Sequence, residues 1–294
     1  MKPAILILFT LTLFFQACGQ AENSNQTKPG NQVEHPVETK QKDFINESGT
    51  SIESRFLLPD DFERVDVQPG SFAEYLRKLP LKPHGSKVKY YDGTVKNNYG
   101  VYDAVVDMDI GTRDLQQCAD AIMRLRGEFL FQQKQYHKIH FNFTNGFRVD
   151  YSKWAGGFRV IVKGNKSNWK RSAPPANTYN DFRNYMDAIF MYAGTLSLSK
   201  ELDSVDYKDL KIGDIFIQGG SPGHAVIVVD LAIHMKTGDK IYLLAQSYMP
   251  AQETQLLKNP MDRDLSPWYQ LDLNDKTIET PEWEFKTKDL KRFE

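Results

Sequence analysis

The run from Ala225 to Val229 constrains this chain more than any other stretch, because it is apolar without a break and mostly β-branched. Such a run fits a strand buried on both faces. The residues before it prepare its position. Gly213-Asp214 reads as a tight turn that delivers a short apolar strand, Ile215 to Ile217. Gly219, Gly220, Pro222 and Gly223 then make a loop, since these residues favour or permit the torsions of tight bends. His224 falls at the seam between that loop and the buried strand. An imidazole there is held by rigid structure and still looks into a cleft, where an acid/base group is useful.

With 294 residues, 40% hydrophobic and 26% charged, the chain has enough material for a real core, as one large domain or two small ones. Lys+Arg 37 against Asp+Glu 38 leaves a net charge of -1, and no basic tract stands out, so nucleic acid is not an expected partner. No phosphate-cradling Gly loop, dinucleotide fingerprint or Gly-x-Ser-x-Gly elbow occurs, and no cofactor is expected. Asp103, Asp107 and Asp109 alternate along an expected strand; the pattern suits a hard cation, but a solvated strand face explains it more simply. His137 and His140, with Asn142, lack the Cys or carboxylate spacing of a zinc site. No metal ligands are assigned. Trp154, Tyr248, Trp268 and Tyr269 read as sugar-stacking platforms or, more simply, as packing.

The two cysteines, Cys18 and Cys118, carry more information. Lys2 precedes an apolar run, Ala4 to Phe15, of signal-peptide length and too short to span a bilayer stably. It ends Phe15-Gln16-Ala17-Cys18-Gly19, which resembles a bacterial lipobox. The resemblance implies a signal peptide over 1–17, acylation of Cys18, and a mature protein held to a membrane by lipid. Residues 18–54, rich in Asn, Gln, Glu, Lys, Pro and Ser, read as a flexible tether, and 55–294 as a single folded domain. The expected location is the bacterial cell envelope, at the periplasmic face or the cell surface; the sequence sets no oligomeric state. With Cys18 acylated, Cys118 has no disulfide partner, and a lone thiol in an oxidising compartment is a liability unless buried or used.

Periodicity predicts a short helix over 71–79, a hairpin turn at Asp92-Gly93, a strand over 101–110, and a helix from Asp114 to Leu130 opened by an Asp114/Gln117 capping pair. Positions 118, 121, 122, 125 and 129 recur at helical spacing and turn Cys118 inward. Strands follow over 138–146 and, interrupted at Gly156-Gly157, over 147–162; then come a polar loop over 163–177 and a helix from Tyr179 to Ala193. After the central stretch come a strand, Lys240–Gln246, and a strand pair, Trp268–Leu273 with Glu282–Phe285. Hairpin-joined strands with helices set apart predict an α+β fold, its antiparallel sheet packed against the Cys-bearing helix.

Cys118 at a helix start, His224 opening the buried strand and Gln246 ending the next one form the constellation that carries chemistry. A thiol is a weak nucleophile until something takes its proton; a helix N-terminus and a nearby imidazolium both favour the thiolate. An amide oxygen can then hold the imidazole's tautomer. Gly213-Asp214-Ile-Phe and Gly223-His224-Ala-Val-Ile-Val-Val resemble the second half of the papain-like NlpC-type cell-wall cysteine peptidases and amidases. Around the cysteine the chain departs from that pattern, with Gln117-Cys118-Ala119-Asp120 in place of Asp-Cys-Ser/Ala-Gly, and Gln246 stands where His, Asn or Asp is usual. The region from Phe56 to Glu294 also resembles an uncharacterised family of bacterial lipoproteins, mostly from Bacteroidetes-type organisms, which brings no function with it.

The resemblance implies a papain-like fold and a lipid-anchored envelope cysteine hydrolase that cleaves amide bonds, with peptidoglycan peptides as substrate. Cys118 is then the nucleophile, His224 the base and Gln246 the orienting group. The alternative is a non-catalytic envelope lipoprotein that binds a glycan or peptide on the same scaffold. On that reading Cys118 is helix core, His224 bonds a loop carbonyl and Gln246 caps a strand.

Overall fold

The computed structural model of the chain describes residues 44–294. The signal segment 1–17, Cys18 and most of the tether expected over 18–54 lie outside the described residues. Phe44, Ile52 and Phe56 are all buried, so packed structure begins ahead of the boundary read at 54. Ser51 opens the short helix α1 (Ile52–Arg55) with a reciprocal cap: its hydroxyl accepts the Ser54 N–H, and the Ser54 hydroxyl accepts the Ser51 N–H. Strand β1 (Phe62–Arg64) and the Ser71-capped helix α2 (Phe72–Arg77) follow. Beyond β2 (Tyr102–Val105) the chain enters α3 (Cys118–Gln132).

Two small hairpins flank a single helical turn: β3 (His140–Asn142) with β4 (Arg148–Asp150), then α4 (Tyr151–Ala155), then β5 (Phe158–Lys163) with β6 (Lys166–Arg171). Helices α5 (Tyr179–Tyr192) and α6 (Thr195–Glu201) lead to the short β7 (Asp203–Ser204). The centre of the sheet comes next, as β8 (Ile215–Gln218), β9 (His224–His234) and β10 (Lys240–Gln246). It is completed by β11 (Gln255–Leu257), β12 (Tyr269–Gln270), the hairpin β13 (Thr277–Thr280) and β14 (Trp283–Lys286), and β15 (Leu290–Arg292). The nine-stranded sheet runs β2-β11-β10-β9-β8-β15-β7, with β1 joined to β9 and β12 to β10, and its pairings are antiparallel. β8 covers the start of β9, from His224 to Ile227, and β1 covers its end, from Ala232 to His234.

β9 explains its own sequence. Ala225, Ile227 and Val229 face a core shared with α3 and α5, through Ile122, Phe182 and Met186. Val226 and Val228 face a second core with Phe216, Tyr242 and Phe285. Both faces are covered, so no polar residue alternates in. Past Asp230 the parity reverses: Leu231 joins the second core and Ala232 the first. A bulge opposite Leu243 and Leu244 absorbs the extra residue. Asp230 sits at this phase change, fully buried, and its two oxygens accept the Nε–H groups of Arg77 and Arg64, each at 2.7 Å.

The papain-like fold class is corrected: the architecture is mostly antiparallel sheet with a few helices. The resemblance rests on the turn and run of β8 and β9, a signature that specifies one hairpin. It is silent about the strands from both ends of the chain, β1 and β15, that widen the sheet around it. Three local expectations also change. Tyr151–Ala155 is helical rather than extended. The polar stretch after Lys163 is strand β6; its residues are largely exposed, so no apolar alternation announces it. Here Gly157, at φ 90, passes so near the Ala173 carbonyl oxygen that a Cβ would lie 2.2 Å from it. β14 pairs with β13, whereas Tyr269–Gln270 joins β10.

Candidate active site

Cys118 is the first residue of α3, and hydrogen bonds fix where that helix begins. Asp120 Oδ2 accepts the Gln117 N–H at 3.1 Å. Asp114, expected as the cap, instead accepts the Gln117 side-chain amide at 3.0 Å and the Ala251 N–H at 2.7 Å. Ser247 donates to the Gln252 carbonyl at 2.6 Å and lies 3.3 Å from that of Gln116. Together these bonds tie the helix start to the segment leaving β10, so the thiol meets the first residues of β9. The backbone N–H of Ala225, next to His224, points at the sulfur.

The His224 ring is 1% exposed and packed among Tyr248, Trp283 and Phe285, with ring centres at 4.7, 5.4 and 5.8 Å. Its Nε2 lies 2.8 Å from Gln246 Oε1. Gln246 Nε2 donates to Glu282 Oε2 at 2.7 Å, and Lys96 Nζ donates to the same oxygen at 2.7 Å. A carboxylate paired with a lysine only accepts, so Gln246 must turn its NH2 toward Glu282 and its carbonyl toward His224. Nε2 therefore carries the ring hydrogen. Nδ1 is left as the base.

Burial holds the His224 imidazole down, to about 4; the Gln246 bond opposes this and the Lys96 charge adds to it. Burial first, then the Asp120 carboxyl, pushes the Cys118 thiol up to about 11, against the pull of backbone N–H groups. At neutral pH both groups rest uncharged, so the helix-start thiolate expected from the sequence is not the resting form. Among the described residues the sulfur makes no direct hydrogen bond to the imidazole. Alkylation of Cys118 by iodoacetamide should accordingly be slow at pH 7. It should climb about tenfold per pH unit toward about 11, as the thiolate fraction does; a plateau below pH 8 would show a thiolate already formed. Site occupancy is read by mass spectrometry of the Cys118 peptide.

Cys118, 5% exposed, lines a cavity of about 250 Å³ with Gln117, Asp120, Thr195, Gly223 and Met249. The far wall is the start of α6, where the Thr195 hydroxyl bonds the Gly220 carbonyl at 3.3 Å. Gly223 is required by this approach, since a Cβ there would lie 2.5 Å from Thr195 Oγ1. Larger cavities, about 590 Å³ beside Arg124 and Tyr179 and about 820 Å³ beside His137, His140 and Glu201, contain no thiol.

The structure brings His224 and Gln246 into contact and sets Cys118 against Ala225, the next residue of β9; of the three, only Cys118 lines the cavity, and the His224 ring shares the opposite face of the strand with Phe285. It adds Lys96, Glu282, Trp283, Tyr248 and Asp120, which sequence reasoning did not place there. Only Asp120 carried a local signal, as an acid in the first turn of a helix. Asp107 and Asp109 lie beyond the end of β2 and are largely open to solvent, and no group of three His, Cys, Asp or Glu suited to a metal ion occurs among the described residues. Trp154, Trp268 and Tyr269 are buried packing residues, whereas Tyr248 stands over His224. No helix among the described residues is long and apolar enough to cross a membrane.

Fold and site define a sheet protein in which a helix-start cysteine meets the backbone of the central strand and a buried histidine of that strand is oriented by an amide. The chain belongs to the family described as Domain of unknown function (4846), whose model matches residues 52–292. No curated protein and no solved structure matches it.

Proposed function

We propose that this chain is a thiol-dependent hydrolase of amide bonds, held in the bacterial cell envelope by lipid on Cys18, with peptidoglycan peptides as its substrate. One observation supports the chemistry above the rest: the Lys96–Glu282–Gln246 relay leaves Nδ1 of His224 unprotonated, and the N–H of the next residue, Ala225, meets the sulfur. Nδ1 takes the Cys118 proton as the sulfur attacks the carbonyl carbon, and the oxyanion gathers at the N–H groups of the first turn of α3. Collapse gives a thioester as Nδ1–H protonates the leaving amine. Water, deprotonated by Nδ1, then releases the acid and restores the thiol. The substrate assignment rests on the lipobox-like leader and the location it implies.

The test compares the full chain with Cys118→Ala on purified peptidoglycan sacculi, scoring new amine termini. The expected result is release by the first and none by the second; equal release by both would refute the assignment. A second reading, a binding lipoprotein without catalysis, is favoured by the lack of a direct sulfur–imidazole bond. It predicts that the full chain releases no amines yet sediments with sacculi as strongly as Cys118→Ala does.

A further inference from the structure

We propose that the outward face of the β5–β6 hairpin docks on the anionic headgroups of a lipid bilayer and so orients the domain on the membrane that carries its anchor. The register of the hairpin decides which side chains share that face. Arg159 lies opposite Lys170, Ile161 opposite Asn168, and Lys163 opposite Lys166. Side chains alternate along a strand and directly opposed residues point the same way, so these six form one face. Val160, Val162 and Trp169 belong to the other face, which packs against the main core. Ile161, Lys163, Lys166, Asn168 and Lys170 are accordingly exposed. Asn145 holds the turn, its Nδ2 donating to the Ser167 hydroxyl at 2.8 Å and to the Asn165 carbonyl at 3.3 Å.

Like charges directly opposite one another weaken a strand pair, yet this face carries two such pairs. Residues 151–180 hold six of the 37 Lys and Arg and none of the 38 Asp and Glu, which leaves 31 against 38 elsewhere. The near-neutral chain is therefore polarised. These cations are spread along the sequence, and only strand pairing gathers them. Lys163, Lys166 and Lys170 make no ion pair among the described residues. Asp181, whose carboxyl feels the Arg159 charge, already accepts the Thr178 hydroxyl at 2.6 Å and N–H at 3.0 Å. Charged residues also guard free strand edges, but either sign serves that purpose, so a bias this complete points to an anionic partner. Ile161, 38% exposed, sits between the two cationic pairs and adds an apolar contact suited to the headgroup boundary. Basic clusters beside a membrane anchor are drawn to anionic lipid in this way. The choice of a bilayer rests on the leader being read as a lipid attachment; the affinity of the face for anions does not.

The experiment acetylates the lysines of the full chain bound to phosphatidylcholine vesicles, made with or without phosphatidylglycerol, and reads each site by mass spectrometry. A cation at an anionic surface is worth about fivefold in partitioning, and Lys163, Lys166 and Lys170 should react at least that much more slowly on the anionic vesicles. Lys208, exposed on another part of the domain, should react alike on both. High salt should abolish the difference by screening. Lys163→Gln with Lys166→Gln removes two cations at exposed positions, about 25-fold together, and Lys170 should then react nearly as fast on anionic vesicles as on neutral ones. Equal reactivity on the two vesicles, or protection that Lys208 shares, would overturn the proposal. Protection by soluble polyphosphate and none by anionic vesicles would overturn it too, assigning the face to an anionic polymer. No hydrolysis is read, so a failure here leaves the assignment of Cys118 untouched.

Discussion

Glu282→Gln should slow the hydrolysis proposed for Cys118 by about 10²- to 10⁴-fold while leaving the fold intact. The argument follows the hydrogens. Lys96 is buried and needs an acceptor, so the new glutamine turns its carbonyl to Lys96 and its NH2 to Gln246. Gln246 then offers its carbonyl to that NH2 and its own NH2 to His224. The imidazole answers by accepting at Nε2 and carrying its hydrogen on Nδ1, the tautomer that cannot take a proton from the thiol. ¹⁵N spectra of the histidine ring read this change directly, without a substrate. An Nε2–H form in the wild type and an Nδ1–H form in the variant are expected. An unchanged tautomer, with full rate, would mean that Glu282 only holds the hairpin in place.

Asp230→Asn should destabilise the protein by about 3–5 kcal/mol, the range seen when one partner of a buried ion pair is removed. Asp230 and Arg77 are both buried, and the carboxylate also accepts the Leu231 N–H at 2.9 Å. An asparagine can still bond Leu231, but it leaves the Arg77 guanidinium charged in a site with little access to water. Arg64, about a quarter exposed, recovers some hydration. The urea midpoint measures the loss. Asp230→Leu combined with Arg77→Met should recover part of it, because only Arg64, which reaches water, is then left without its carboxylate. If Asp230→Asn shifts the midpoint by less than half the expected amount, water reaches this pair more freely than its burial implies.

What the sequence discloses depends on how far apart the cooperating residues lie. β8, β9 and β10 are legible because their turns and apolar runs are local, and the inward face of α3 is legible from spacing. Gln246 and His224 fall at predictable ends of neighbouring strands. Lys96 and Glu282 are not legible, since each reaches the site through tertiary structure, Glu282 from the turn between β13 and β14. The state of the thiol is also hidden. Helix-start reasoning argues for a lowered value, and burial wins. The wide sheet was missed for a related reason, because a hairpin signature describes two strands and no further neighbours.

The β13–β14 hairpin is fastened to the end of β8: Trp283 Nε1 donates to Gln218 Oε1, and Gln218 Nε2 to the Glu284 carbonyl, both at 3.1 Å. Its turn supplies Glu282, and its strand supplies two walls of the His224 pocket. During synthesis Cys118 and His224 are both made well before this segment emerges. A chain made only as far as Gln246 has neither the carboxylate that selects the His224 tautomer nor the aromatic cover that excludes water. The order of the chain acts as a timer: the surroundings of His224 are complete only when nearly the whole domain has been made.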